Sequence, residues 1–364
     1  MSIYWNKRVY SLRPYIPGEQ PKGAARIIKL NTNENPYPPP PEVIEAISKA
    51  AGRLRLYPDP ASTELREALS AKFNLDPKQI FAGNGSDEVL AFAFAAFFPS
   101  GAEENRGLSV LFPDVTYSFY PVFASLWDVQ YKTIPLRDDF SLSIDDYRLP
   151  CAGAIFPNPN APTSLALAVN EIAKLAAYLQ EQRRVLIVDE AYIDFGAESA
   201  APYIERFDNL LVVRTFSKSA SLAGLRVGYA LGQRPLIEGL ERIRDSFNSY
   251  PVDALAAAGA AAAVKADAYY TAVNAKITAT RERVSAALGA MGWQMPPSKA
   301  NFIFARPPLP DGNDGAKPLF EALRKNGILT RYFPGERTKN FLRISMGTED
   351  DMNRFLEVCE KLLK

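Results

Sequence analysis

The sequence predicts an α/β domain built around a largely parallel sheet, followed by a smaller α+β lobe. Three observations carry that prediction. Short apolar runs rich in valine and isoleucine alternate with helical stretches through the first two thirds of the chain. Residues 252–291 are alanine-rich with scattered charge, which reads as one or two long helices leaving the large domain. Beyond them, strand and helix patterns alternate again.

The elements follow in order. Residues 13–41 carry Pro14, Pro17, Pro36 and a run from Pro38 to Pro41, together with Asn31, Asn33 and Asn35. That composition breaks both long helices and central strands, so an extended arm or a site-lining loop is expected. Helical signals then cover 42–51, 63–73 behind a cap at Ser62, and 87–98 behind Ser86. Strands are expected at 79–82, 109–112, 129–134, 152–156, 185–188 and 210–213, each bounded by polar turns. In the tail, 301–305 and 342–345 read as strands and 317–326 and 349–363 as helices. The expected division is a large domain over 42–265 and a small one over 1–41 and 266–364, which the N-terminal arm completes.

The chain has 364 residues, 47% of them hydrophobic, enough for a substantial core. Lysine plus arginine total 42 against 41 acidic residues, so no strong field points to nucleic acid or an anionic membrane, and any cationic site must be local. The opening Met1-Ser2-Ile3-Tyr4-Trp5 lacks a signal-peptide pattern and no later segment is apolar for long enough to span a bilayer, so a cytoplasmic location is expected. Cys151 and Cys359 are far apart and read as buried thiols in a reducing compartment. Histidine is absent, which removes Ser-His-Asp triads, Cys-His dyads and nearly every catalytic zinc arrangement. No metal site is expected. Lysine, tyrosine, a carboxyl group or a bound cofactor must move any proton.

Three segments could carry chemistry. Asp189-Glu190-Ala191-Tyr192 ends an apolar strand on the side where open α/β sheets keep their ligands, although such an end alone is more often a plain polar loop. The next strand runs into Arg214-Thr215-Phe216-Ser217-Lys218-Ser219, with Arg226 shortly after. A strand-end lysine is usually a surface charge. Here hydroxyls and an arginine surround it, so a phosphate could find donors while the amine stays free to react. Gly83-Asn84-Gly85-Ser86-Asp87-Glu88 joins a strand to a helix, and such a helix start presents backbone N–H groups to an anion or serves as an ordinary capped turn.

Taken in order, these segments resemble the fold-type I pyridoxal-phosphate-dependent aminotransferases, and within them the histidinol-phosphate aminotransferase family. The resemblance extends to Leu30-Asn31-Thr32-Asn33-Glu34-Asn35-Pro36-Tyr37, Arg55-Leu56-Tyr57-Pro58, Pro113-Asp114-Val115-Thr116-Tyr117 and Leu342-Arg343-Ile344-Ser345-Met346-Gly347-Thr348, so it spans nearly the whole chain. It implies a mostly parallel seven-stranded sheet between helices, plus the smaller α+β domain. It further implies that Lys218 carries pyridoxal 5'-phosphate covalently, that Asp189 pairs with the ring nitrogen, that Tyr192 meets the phenolic oxygen and that Tyr117 stacks on the ring. Gly85, Ser86, Asp87, Ser217 and Arg226 would complete the cofactor set, with Tyr57 arriving from the partner subunit of a homodimer. Arg343 would clamp the substrate carboxylate, and Arg331, Tyr15, Asn33 and Tyr250 are candidates for a second anion site. The chain departs from the family at Asn158-Pro159-Asn160-Ala161-Pro162-Thr163-Ser164, where Asn-Asn-Pro-Thr-Gly is usual. Ala161 stands where an asparagine reaches the phenolic oxygen. Either Asn160 reaches it from a shifted loop or Tyr192 acts alone, at a cost of about 1 kcal/mol.

The implied reaction moves an amino group between histidinol phosphate or its keto partner, imidazole acetol phosphate, and glutamate or 2-oxoglutarate. An aromatic or general amino-acid aminotransferase, or a threonine-phosphate decarboxylase, would use the same scaffold. A cofactor-binding regulator would carry a separate DNA-binding module, for which the motifs beginning at Asn31 leave no room.

Overall fold

In chain order the strands are β1 (Ile28–Lys29), β2 (Ile80–Gly83), β3 (Val110–Pro113), β4 (Tyr131–Ile134), β5 (Gly153–Pro157), β6 (Leu186–Asp189), β7 (Leu210–Thr215), β8 (Gly228–Gly232), β9 (Phe302–Ala305), β10 (Ile328–Leu329), β11 (Arg331–Tyr332) and β12 (Leu342–Ser345). The computed structural model describes residues 3–21, 27–101, 107–309 and 315–363; Met1 and Ser2, part of the stretch without a signal-peptide pattern, lie outside them.

Seven strands form one sheet in the order β2-β8-β7-β6-β5-β3-β4. Neighbours run parallel except at β8, which is antiparallel to β2 and β7. The continuous apolar runs have a direct cause. Leu186, Val188, Leu210 and Val212 face one apolar cluster, whereas Ile187, Leu211 and Val213 face another, so both surfaces of the sheet are covered. Helices Thr63–Phe73, Val169–Glu181 and Ala254–Lys265 pack on the first face, and Gly85–Phe97 and Arg234–Phe247 on the second. Strand β8 lies outside the strands expected from the residues, because Gly-Tyr-Ala-Leu-Gly contains no β-branched residue and begins and ends in glycine.

Two helix starts differ from expectation. Ser62 sits at φ 49 and makes no capping bond. The Asp59 carboxylate accepts instead from the N–H groups of Ala61 (3.0 Å) and Thr63 (2.7 Å). The helix expected behind Ser86 begins at Gly85, so Ser86 lies within its first turn.

Residues 252–291 form two helices, Ala254–Lys265 and Asp267–Ala290, and the Asp253 carboxylate caps the first. The longer one contributes Tyr270 to the sheet cluster, and Val273, Ile277, Val284 and Leu288 to a third cluster with Phe302, Leu323, Ile344 and Phe355. It therefore bridges two cores. A second sheet, antiparallel β11-β12-β9, belongs to that third cluster, and the arm joins it through the parallel pairing of β1 with β10. Leu30 is buried there and its carbonyl accepts from Ser345 N–H at 3.0 Å, which holds residues 31–35 beside Tyr192 and Lys218.

Among the described residues no helix is long and apolar enough to cross a membrane, and no cluster of metal-ligating side chains occurs. Cys151 and Cys359 are buried free thiols. Burial pushes the Cys359 thiol up to about 12.

Candidate active site

The C-terminal ends of β5, β6 and β7, the loop that leads into β8 and the start of helix Gly85–Phe97 converge on a cavity of about 100 Å3. Its walls include Ser86, Asp87, Tyr117, Ala161, Asp189, Tyr192, Ser217, Lys218 and Arg226. A larger cavity of about 540 Å3 lies behind the same strand ends, among Glu190, Asp194, Arg214 and helices 63–73, 254–265 and 267–290. Lys218 and Asp189 line only the smaller one, so the chemistry belongs there. Adjacent residues of β6 and its following loop divide between them: Asp189 faces the smaller cavity, whereas Glu190 pairs with Arg214 at 2.9 Å.

Asp189 is 4% exposed and has no cationic partner among the described residues. Its carboxylate accepts from Tyr120 Oη at 3.0 Å and from Ala191 N–H at 3.2 Å. Burial raises its pKa to about 7, opposed by those two hydrogen bonds and reinforced by the carboxylates of Asp87 and Glu190. A buried carboxylate held this way is half of an ion pair. Tyr120 was missed from sequence. It lies three residues after Tyr117 among aromatics, where core packing is the ordinary reading.

Opposite Asp189 stands a cradle for a small anion. Arg226 reaches Ser217 Oγ (3.2 Å) and Asp87 Oδ2 (3.1 Å), and Tyr117 donates to the other Asp87 oxygen at 2.6 Å. Gly85 adopts φ +82, and a Cβ there would stand 2.6 Å from the Arg226 guanidinium. At Gly228 a Cβ would stand 2.2 Å from Ser86 N and 2.4 Å from Gly85 C. Strand β8 and the helix start thus approach as closely as backbones can, and only glycine permits it.

Lys218 Nζ donates to the carbonyl of Thr32 at 3.0 Å and lies 5.7 Å from the centre of the Tyr192 ring. The Tyr192 hydroxyl accepts from Asn33 Nδ2 at 3.0 Å. Asn160 does not meet the expectation that it reaches into the site. Its amide donates to Val115 O (2.9 Å) and Thr163 Oγ1 (2.8 Å), which turns it toward the neighbouring loop and leaves Ala161 on the cavity wall. The amide that meets a site hydroxyl comes from Asn33, on the arm.

Arg343 and Arg331 are direct cross-strand neighbours on β12 and β11. Like charges so placed repel unless an anion lies between them. Arg343 packs on the rings of Phe302 and Phe333, donates from Nη2 to Asn31 O at 2.9 Å, and keeps a buried Nε without a partner. Burial holds its pKa below the usual value; Tyr192, Tyr15 and Tyr117 oppose that effect, and Arg331 adds to it. Tyr15 stacks on Phe119 at 4.3 Å, beside Tyr117. Tyr57 and Tyr250 stack on each other at 4.9 Å, and the first is 84% exposed, so neither lines the cavity of its own chain.

A lysine, a buried carboxylate and an anion cradle at one end of a doubly covered, mostly parallel sheet, with an arginine pair alongside, define the class. A family model described as aminotransferase class I and II matches residues 25–358, and the chain belongs to that family. Within it the chain belongs to the histidinol-phosphate aminotransferases. It is 51% identical over 363 residues to histidinol-phosphate aminotransferase 1 of Bradyrhizobium diazoefficiens, covering 100% of both chains, and 49% identical over 364 residues to the enzyme of Clostridium acetobutylicum, again covering 100% of both. The fold also matches that of a Sinorhizobium meliloti histidinol-phosphate aminotransferase solved in complex with pyridoxal-5'-phosphate, with a TM-score of 0.86 at 23% identity, covering 100% of this chain and 99% of that one.

Proposed function

We propose that this protein is a pyridoxal-phosphate-dependent aminotransferase that exchanges an amino group between histidinol phosphate with imidazole acetol phosphate and glutamate with 2-oxoglutarate. The observation that carries the reading is the buried, cation-free Asp189 facing the same cavity as Lys218 and the Arg226 cradle. The residues fit the cofactor. A ring nitrogen supplies the cation that Asp189 lacks, a phosphate suits Arg226, Ser217 and the Gly85 turn, and Lys218 lies between them. Full-length relatives that carry the histidinol-phosphate name supply the substrate.

The cofactor, when bound, supplies an electron sink for the pair released at the substrate's Cα. Everything else falls to side chains of this chain. The Asp189 carboxylate holds the ring nitrogen protonated. Lys218 Nζ would hold the cofactor, and as a free amine it would be the group that moves the Cα proton. No other group fits that task in a protein without histidine. Tyr117 would pack against the cofactor ring, and Tyr192 would offer it a hydrogen bond. The Arg343 fork binds the carboxylate of glutamate, and Arg331 joins it in holding a phosphate, with Tyr15 at the rim.

The same proposal makes the enzyme a cytoplasmic homodimer in which Tyr57, with Tyr250 stacked on it, serves the partner's cofactor phosphate. Its support is the apolar surface at Leu54, Leu56, Tyr57, Phe247 and Tyr250, all exposed, and a pair of unoxidised thiols. A division into lobes at 42–265 and at 1–41 with 266–364 belongs to it too, supported by the separate apolar clusters. Incubating the loaded enzyme and 2-oxoglutarate with histidinol phosphate, phenylalanine and threonine phosphate in turn, and identifying the products, tests the substrate. Imidazole acetol phosphate formed fastest is the expected outcome; phenylpyruvate or a decarboxylated amine as the main product refutes it.

A further inference from the structure

We infer that Asn33 and Ser345 are positioning residues that aim the Tyr192 hydroxyl proton into the cofactor cavity. The inference rests on the cofactor reading above.

The direction of the hydrogen bonds follows from counting protons. Ser345 Oγ accepts from the backbone N–H of Asn33 at 2.9 Å, so its one proton is free to go to Asn33 Oδ1, 2.7 Å away. The structure places the amide accordingly: the oxygen faces Ser345 and Nδ2 faces Tyr192, to whose Oη it donates at 3.0 Å. A phenol has one proton to give and room to accept. Because Tyr192 accepts from Asn33, its own proton is left to point into the cavity it lines. The three groups form a chain polarised in one sense, Ser345 to Asn33 to Tyr192, in which each bond strengthens the next donor.

Asn33 is held for this and little else. It is 1% exposed, sits at φ 56 where asparagine is tolerated better than most residues, and its carbonyl accepts from Asn301 Nδ2 at 3.0 Å. Meanwhile Asn160 is committed to Val115 and Thr163, and Ala161 brings no polar group. Charged or titratable groups around Tyr192 include Lys218, 5.7 Å from its ring, Arg343 on β12, Tyr117, and Asp189, Asp87 and Arg226 on the same cavity, where the Asp189 carboxylate accepts from Tyr120 and Ala191 and that of Asp87 from Tyr117 and Arg226. Neither lysine nor arginine accepts a hydrogen bond, so neither competes for the Tyr192 proton. The amide that meets Tyr192 therefore comes from the arm, and its aim is set from β12.

Donation by Tyr192 stabilises negative charge on the cofactor's phenolic oxygen, which lowers the pH at which the nitrogen contributed by Lys218 loses its proton. Loss of that donation moves the midpoint upward. Asn33→Asp is the sharpest test, because a carboxylate can only accept and would draw the Tyr192 proton away from the cavity. The midpoint of the pH titration of the visible cofactor band, followed with cofactor affinity by equilibrium dialysis, should rise by about one pH unit in Asn33→Asp, and by a similar amount in Tyr192→Phe. The double variant should move no further than Tyr192→Phe alone, and Ser345→Ala should move part of the way in the same direction. If the buried carboxylate prevents folding, Ser345→Ala and Asn33→Ala carry the test with the same sign. Midpoints at the wild-type value in the Asn33 and Ser345 variants while Tyr192→Phe shifts, or shifts that add in the double variant, overturn the inference. A folded wild-type protein that forms no such band overturns the cofactor reading itself, and this inference with it.

Discussion

Replacing Asp189 with asparagine should strengthen the cofactor-free protein while it weakens cofactor binding. Burial lifts the Asp189 pKa in the folded chain to about 7, against 3.8 for a free aspartate side chain. Below pH 3.8 the carboxyl is neutral in both folded and unfolded states. Between there and pH 7 the unfolded chain ionises first, and the native state loses about 1.4 kcal/mol per pH unit. Above pH 7 the deficit is constant at about 4 kcal/mol, on the order of three pKa units. An asparagine never ionises, so it removes that deficit. It also leaves the Tyr120 hydroxyl without its carboxylate acceptor, which returns about 1 kcal/mol. The cofactor-free variant should therefore exceed wild type by about 3 kcal/mol at pH 8.5, roughly 5 °C in thermal midpoint, and the difference should shrink toward pH 5. Thermal unfolding of cofactor-stripped protein, followed by near-UV circular dichroism at both pH values, measures it. In the same variant cofactor affinity should fall at least 100-fold, because a buried cation loses its partner. A variant no more stable than wild type at pH 8.5, or one whose advantage is the same at pH 5, would refute the reasoning.

Other outcomes are expected of other sites. Arg343→Ala should raise KM for both amino donors by roughly 10- to 100-fold, the equivalent of a charged hydrogen bond, as read from steady-state kinetics. Arg331→Ala should relieve the cross-strand repulsion, raising the substrate-free melting point slightly, while its KM for a phosphorylated donor rises more than that for glutamate. Gly228→Ala drives a Cβ into the backbone of Gly85 and Ser86, and should cost about 3 kcal/mol or more in urea unfolding, with loss of cofactor retention. Tyr57→Phe should weaken cofactor binding although Tyr57 is exposed in its own chain, and sedimentation should show a dimer; a fully active monomer contradicts the shared site.

The sheet was legible because its inner strands are buried on both faces, and so read as unbroken apolar runs such as Leu210–Val213. Strand β8 was not, because its packing needs glycine at Gly228 rather than a branched residue, and glycine carries no strand signal. The candidate residues around the cavity were legible for another reason: Asp189, Lys218 and Arg226 each stand at a sheet end or in the loop beside it. What escaped was whatever tertiary contact alone decides. Tyr120 reads as core until its hydroxyl is seen on Asp189. Asn33 read as a substrate ligand, yet its amide serves Tyr192, a partner 159 positions away. Ser62 had the composition of a cap, but it makes no capping bond, and the Asp59 carboxylate accepts from Ala61 and Thr63 N–H beside it.

The central claim is that Lys218 and Asp189 serve one transferable amino group. The most direct measurement is the absorption of the cofactor-loaded protein on adding L-glutamate, followed by imidazole acetol phosphate. The expected result is conversion of the bound cofactor's band by glutamate and its return with the keto acceptor, in wild type and not in Lys218→Ala. A spectrum that stays unchanged with glutamate in the loaded wild type, or one that cycles equally well in Lys218→Ala, would contradict it.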